Sequence, residues 1–562
     1  MFMWYLLPAN TTFAFTHADT LRGSNGRGRA WWDVVHYDLS VTIDTATKEI
    51  SGRNIIRFVI GDNICDSMQI DLQEPLSVVN VGIGDGKAGN FEQLEFLKVE
   101  NVIWINYGFK RKWQKGSVYE ITVFYKGAPR QAINPPWDGG FSWSHDKSGK
   151  PWVAVSCQGV GASVWWPCKD AQWDEPDSGM TISLALKAHE KNRGAFLKDN
   201  VEIVSNGRDL TQRMPKEGET GNVEPYWRWE VKSPINNYDV TFYMGDYVHR
   251  HDTLMGEKGK LDLDFWVLRY NEDEAREHFK VVKQMIHCFE YWMGPYPFYE
   301  DGYKLVESPY LGMEHQSAIA YGNDYKMGYM GHDRTGTGIG MNFDYIIVHE
   351  SGHEWFGNNV TAKDIADNWI HEGITTYSET LFTECLLGKQ KATAYCIGEW
   401  NNIRNDKPII GEYGVNEEGS NDMYDKGTAI MHMIRQLTND DEKFRQMLRG
   451  LSSAFYHKTI TTAEAEKYIA DHTGVELTAF FQQYLRTDMI PEVEYYVKDA
   501  ELYYKFNNVF SDASTNRPFT LPLKIRSEKV TATISPTSEW QHIKWKCGHT
   551  VDFANNFLIK IK

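Results

Sequence analysis

No stretch of eighteen apolar residues occurs anywhere in this 562-residue chain, so nothing in it is built to span a bilayer as a helix. Cysteine is sparse: seven residues, at 65, 157, 168, 288, 385, 396 and 547, with no close pair, which excludes a metal knuckle and gives no disulfide framework. Positive charge is in deficit, with 59 Lys and Arg against 76 Asp and Glu for a net −17. That balance argues against a nucleic-acid or anionic-membrane surface and suits a cationic partner such as a peptide amino terminus. The Gly- and Thr-rich stretch 333–340 lacks a following Lys-Ser or Lys-Thr, so it reads as a mobile loop and not a phosphate cradle. No basic residue precedes Arg22. The short apolar run Met1 to Leu7, with Thr16-His17-Ala18 as a cleavage site, is therefore an incomplete export signal or a disordered leader over residues 1–30. The first alternative favours a periplasmic or extracellular location over the cytoplasm.

What is present is more informative. Hydrophobic residues make up 42% and charged residues 24%, ordinary for a soluble globular chain, and the length calls for about three domains. His349-Glu350-Ser351-Gly352-His353 is followed, after eighteen residues, by Glu372. In a helix running from Asp344 to Asn358, positions 349 and 353 leave the same face and can meet one metal ion. Two imidazoles and the Glu372 carboxylate leave the fourth corner of a tetrahedral Zn²⁺ open for water, as a hydrolase requires. Two surface histidines are the plain alternative. Ile346, Ile347, Val348, Trp355 and Phe356 make this segment too apolar for a solvated surface, so its charges need partners. Gly352 costs about 1 kcal/mol relative to Ala in a helix, which points to something packed closely there.

Trp369 to Cys385 shows a second helical periodicity, with Gly388 as its stop. Glu379 lies two turns beyond Glu372. Either Glu379 or Asp367 is placed to accept a ligating imidazole's N–H and so fix its tautomer, and each is equally compatible with a solvated surface acid.

Strand alternation dominates residues 31–251: Tyr37, Leu39, Val41 and Ile43 alternate with polar residues, and Tyr119, Ile121, Val123 and Tyr125 do the same. A half-buried antiparallel sheet follows. Residues 252–490 turn helical from Glu272, with Thr461 and Glu464 forming a capping box, and strands return over 491–562 as a small β-sandwich.

These residues resemble the zinc aminopeptidases of the aminopeptidase N type, a family that includes leukotriene hydrolase-like enzymes. The metal motif continues as Trp355-Phe356-Gly357-Asn358. Gly312-Met313-Glu314-His315 is similar to the family's Gly-x-Met-Glu-Asn element, and Tyr424-Asp425-Lys426-Gly427 to its Tyr-x-Lys-Gly element. Gln158 and Trp166-Pro167-Cys168-Lys169-Asp170 extend the likeness over most of the chain. Departures fall at His315, at Ser351-Gly352, at His371 before the third ligand and at Ile365. None of them changes a ligand.

The resemblance implies an α+β multidomain fold: a saddle-like antiparallel β domain, a thermolysin-like, mostly helical catalytic domain and the carboxy-terminal sandwich. It also implies one Zn²⁺ per chain, on His349, His353 and Glu372, and peptides with a free amino terminus as partners. Glu350 is then general base and later acid, and Tyr424 donates to the tetrahedral oxyanion. Glu314, helped by Gln158, binds the substrate's α-ammonium. Gly312 and Met313 belong to a stretch that pairs with substrate backbone as an added strand. On the residues alone, Glu314 would pass equally as a strand-edge charge, and Tyr424 as one packed aromatic among thirty tyrosines. An endopeptidase and a non-catalytic peptide-binding scaffold are the competing readings; intact Glu314 argues against the first and intact Glu350 against the second. Many family members carry a large helical domain beyond this point, so a more open cleft, admitting longer peptides, is expected here.

Overall fold

In a computed structural model the chain is described at residues 15–84, 87, 91–106, 113–187, 201–211, 226–511, 518–527, 530–546 and 551–562. The Met1–Leu7 run and Cys547 lie outside these residues.

The period-two pattern builds the amino-terminal domain. In strand Trp32–Asp44, Tyr37, Leu39, Val41 and Ile43 are buried, while Asp38, Ser40 and Thr42 between them are partly exposed. This strand pairs antiparallel with Glu49–Ile60 and parallel with Met180–Leu186, inside an eight-stranded sheet that is otherwise antiparallel. Trp166 meets Tyr37 edge-on at 4.9 Å in the core beneath it.

Part of the leader expectation is corrected. Thr16 caps the helix His17–Gly23 through a capping box, and the Leu21 carbonyl accepts from Gln69. Arg29, fully buried, holds Asp71 at 2.6 Å. Residues 16–30 are thus stitched to the β domain, because an arginine out of water needs its carboxylate.

A five-stranded sheet, in the order Tyr247–Gly256, Gly259–Leu268, Tyr303–Glu307, Ile319–Tyr321 and Gly312–Met313, lies between two cores. Successive strand residues face opposite ways. Leu305 and Ile319 join the catalytic core, whereas Val306 and Ala320 join the amino-terminal one. The boundary expected at 251/252 therefore moves: strand Tyr247–Gly256 runs through it, paired without a break from Tyr247↔Leu268 to Gly256↔Gly259. We place the junction before Tyr247. Gly312–Met313 forms the sheet's edge.

Helices Glu272–His278 and Val281–Met293 open the helical region, and helix Thr462–Thr473 starts on the expected Thr461 capping box. Helix Trp369–Leu387 ends at Gly388, whose φ of 86° suits glycine. Cys288 and Cys385 form a disulfide between helices Val281–Met293 and Trp369–Leu387. That corrects the expectation of no disulfide; a separation of 97 residues left no local spacing to read. After Pro491, a four-stranded and a three-stranded sheet bury Leu502, Phe506, Leu523, Ile525 and Trp545 in a core continuous with that of the catalytic region. No described helix is long and apolar enough to cross a membrane.

Helix Trp369–Leu387 crosses helix Asp425–Thr438 at two glycines, where a Cβ on Gly427 would lie 2.5 Å from the Cα of Gly373. This backbone contact sets Tyr424 beside the residues on the facing helix. Gly427→Ala is expected to destabilise the catalytic region by about 1 to 3 kcal/mol through overpacking, read as an earlier denaturant midpoint. An unchanged midpoint would show that the helices do not meet there.

Candidate metal centre and active site

Asp344 starts the helix that carries the motif. Its side chain accepts from the N–H groups of Ile346 and Ile347, and also takes donors from His278, Tyr321 and Asn323. The helix is shorter than expected: it spans Tyr345–Gly352, not 344–358. His353 keeps helical angles (φ −61°, ψ −22°), so the four-residue offset from His349 survives. The chain then turns at Gly357 (φ 130°) into strand Val360–Ala362. Gly352 does face close packing, with Ser378 Oγ only 2.4 Å from where a Cβ would sit.

Three donor atoms converge. His349 Nε2 lies 3.3 Å from His353 Nε2, and Glu372 Oε2 lies 3.6 Å from the first and 3.3 Å from the second. Each imidazole is oriented from behind: His349 Nδ1–H donates to Glu379 Oε1 at 2.8 Å, and His353 Nδ1–H to the Phe356 carbonyl at 3.0 Å. The Nε2 lone pairs are thereby turned towards one another. Glu372 Oε2 is buried and accepts no hydrogen bond from the described residues. Two lone pairs and an unsatisfied carboxylate oxygen facing one point fit a divalent cation with N and O ligands. Tyr395 secures Glu379 by donating to its other oxygen at 2.6 Å.

The charges agree with this. Although burial opposes it, the Glu372 and Glu379 carboxylates push the His349 imidazole up to about 10. Against the same burial, His353 and His349 hold Glu372 well below the usual carboxylate range. A cation satisfies both tendencies at once.

Burial, only partly offset by His349, pushes the neighbouring Glu350 carboxyl up to about 7. Gly312 makes room for it: a Cβ there would fall 2.6 Å from Glu350 Oε1. Glu314 is 2% exposed; it accepts from Gln158 Nε2 at 3.0 Å and from the Tyr238 hydroxyl at 3.3 Å. Gln158 Nε2 is also 3.2 Å from Glu372 Oε1, so it bridges the metal centre and Glu314. Burial raises the Glu314 carboxyl, with His353 opposing and Glu372 reinforcing. Met313 follows Gly312 on the sheet edge, and both line the same cleft of about 470 Å³ as Glu314, His349, Glu350, His353, Glu372, Gln158 and Tyr424. Tyr424 precedes helix Asp425–Thr438, and its ring stacks on His349 with centroids 6.1 Å apart.

Asp367 is the site residue that the structure moves elsewhere. It binds the Thr462 hydroxyl and amide at 2.5 and 3.1 Å and the Tyr413 hydroxyl at 2.7 Å. It sits in the short turn before helix Trp369–Leu387 and ties that turn to helix Thr462–Thr473, so it does not reach an imidazole. Glu379 fills the supporting position instead.

Several cleft residues escaped sequence reasoning. Tyr345 stacks on His349 at 5.2 Å, and its place four residues earlier on one helix was a usable signal. Tyr238, in the short 3-10 turn Asn237–Asp239, and Arg334, in a loop, carried none. The stretch 333–340, expected to be a mobile loop, is pinned by Asp333, which accepts from the amide and hydroxyl of Thr335. His315, at the family's Asn position, contacts the Tyr243 hydroxyl through Nδ1 at 2.7 Å, and burial pushes its imidazole down to about 3.

Fold and centre together make an architecture in which a helix-borne pair of histidines meets a third donor, Glu372, from a facing helix. Residues 277–484 match the model of the peptidase family M1 domain. The chain is 22% identical to aminopeptidase N of Lactobacillus delbrueckii subsp. lactis over 93% of its own length and 60% of that protein. It is likewise 22% identical to leukotriene A-4 hydrolase of Xenopus laevis, over 63% of this chain and 57% of that one. Among solved structures, an M1 zinc metallopeptidase from Deinococcus radiodurans superposes with a TM-score of 0.66 at 17% identity, covering 83% of this chain and 95% of that one. The chain spans 46% to 60% of the length of the curated relatives it matches. The chain is thus similar to the peptidase family M1 domain over residues 277–484 and to aminopeptidase N over most of its length.

Glu379→Gln is expected to weaken divalent-metal affinity by about ten- to a hundredfold, measured by competition with a chelator. Undiminished affinity would free Glu379 from any part in holding the centre.

Proposed function

We propose that the protein is a zinc aminopeptidase that removes single residues from the amino terminus of peptides. The observation that carries this is the position of Glu314: a buried carboxylate bridged through Gln158 to Glu372. Both the relatives and the donor set favour Zn²⁺ on His349, His353 and Glu372, one per chain. When bound, zinc supplies Lewis-acid polarisation of the scissile carbonyl and of the attacking water.

The remaining work belongs to the chain. Glu314 accepts the substrate's α-ammonium while the Gln158 and Tyr238 donors hold its carboxylate in place. An acylated amino terminus would leave that buried charge without its partner, which excludes endopeptidase action. The open edge Gly312–Met313 pairs with the extended backbone and sets the first peptide bond over the centre. Glu350, ionised, takes the proton of the attacking water and returns it to the leaving amine. Tyr424, whose ring is braced by His349, donates to the developing oxyanion.

Three outcomes test this. Tyr424→Phe is expected to lower kcat about a hundred- to a thousandfold with KM nearly unchanged; unchanged kcat removes Tyr424 from the chemistry. Glu314→Ala should lose the discrimination between free and acetylated amino termini, and a variant as selective as its parent would refute the anchor. For pH, the base must be ionised and burial raises its pKa. Activity should therefore fall on the acid side along a limb set above the ordinary glutamate range, with loss of a proton switching activity on. A limb at or below pH 4 would assign the base elsewhere.

A further inference from the structure

A second pocket lies away from the metal centre, between the hairpin of strands Tyr247–Gly256 and Gly259–Leu268 and the elbow that joins helices Glu272–His278 and Val281–Met293. Register explains its floor: Arg250 is paired with Phe265 across the hairpin, and Val267, two residues on, shares the side of Phe265. Phe265, Val267, Ala275 and Phe279 give an apolar lining to a cavity of about 220 Å³. A dry cavity of about 150 Å³ already holds benzene, so this one has room for an aryl group or a short alkyl chain. Its walls are set before anything binds. Phe279 lies 5.5 Å from Phe265 and meets Tyr321 edge-on at 5.1 Å, while His278, beside it, holds Asp344 at 2.8 Å.

The rim carries the opposite sign to the chain as a whole. In a protein of net −17, Arg250, Arg276, Lys280 and Lys283 line this pocket, with Asp252 the only acid among its lining residues. Each cation has a partner: Glu272 for Arg250, Asp273 for Arg276, Glu277 for Lys280 and Asp252 for Lys283. The side chains of those four acids are 42% to 88% exposed, and pairs so open to water contribute little and exchange readily for another anion. A carboxylate that enters on an apolar body meets the same cations in a drier place than any of these acids does. Helix Val281–Met293 begins at this rim without a side-chain cap and with no acid in its first turn, so its positive end adds to the field of the lysines. An apolar floor beneath arginine and lysine matches a ligand with an apolar body and an anionic head.

We infer that this pocket is a binding site for a small amphipathic anion, an aryl or short alkyl body bearing a single carboxylate. The body rests on Phe265 and Phe279, and the head draws Lys280 and Lys283 from their exposed partners. No residue lines both this pocket and the metal-centre cleft, so binding here does not require the chemistry proposed for that cleft.

The test is calorimetry on the full, zinc-equilibrated chain with the metal-centre cleft filled by a peptide hydroxamate, so that added carboxylates do not report on the metal. The probes are 4-phenylbutyrate and octanoate, with 4-phenylbutanol as the body without the charge and acetate as the charge without the body. Both amphipathic acids should bind one per chain with Kd below about 1 mM, and acetate and the alcohol at least about tenfold more weakly. The affinity of the acids should fall as salt is raised. Lys280→Glu/Lys283→Glu, which reverses two charges at the rim, should weaken both acids by about tenfold or more with circular dichroism unchanged. Ala275→Met, which puts a longer side chain into the cavity, should abolish their binding, and the charge-reversed protein decides the matter if that variant does not fold. No binding of either acid up to about 10 mM, equal affinity for 4-phenylbutyrate and 4-phenylbutanol, or unchanged affinity in Lys280→Glu/Lys283→Glu would each overturn the site.

Discussion

Burying four carboxylates around two imidazoles is the constraint on which the site depends. Glu314, Glu350, Glu372 and Glu379 are each at most 8% exposed, as are His349 and His353. Taking so many charges out of water is costly unless each meets an opposite charge or a donor. Glu379 meets His349 and Tyr395, and Glu314 meets Gln158 and Tyr238. The inward face of Glu372 and the two Nε2 atoms are left turned towards one point, an arrangement that a shared cation would satisfy.

The fold serves that arrangement. Asp344 fixes where the motif helix begins, and the Gly373–Gly427 contact sets the spacing between the helices bearing Glu372 and Tyr424. The sheet between the two cores ends in the edge strand Gly312–Met313, which brings Glu314 to the helix from the other side. Gln158, from the amino-terminal domain, reaches both glutamates. The centre therefore depends on the packing of both domains against that sheet.

Much of this was legible in the residues because the decisive signals are local and periodic. The alternation from Tyr37 to Ile43, the capping box at Thr461 and the glycine stop at 388 became the strand, cap and terminus expected of them. The convergence of His349, His353 and Glu372 was legible because the four-residue offset survives even where the helix ends early. What escaped was set by tertiary contact. Asp367 and Glu379 were equivalent by spacing, and only the position of helix Thr462–Thr473 drew Asp367 away. Cys288 and Cys385 are joined by helix packing, and Arg334, Arg404 and Tyr238 reach the cleft from short turns and loops without a repeat to betray them. The junction before Tyr247 was hidden because one continuous strand carries the chain into the next sheet.

The most direct test is elemental analysis of the purified, zinc-equilibrated protein beside a His353→Ala variant of unchanged circular dichroism. The account predicts one zinc per parent chain and a large loss in the variant. Parent protein without zinc, or a variant that retains as much, would contradict it.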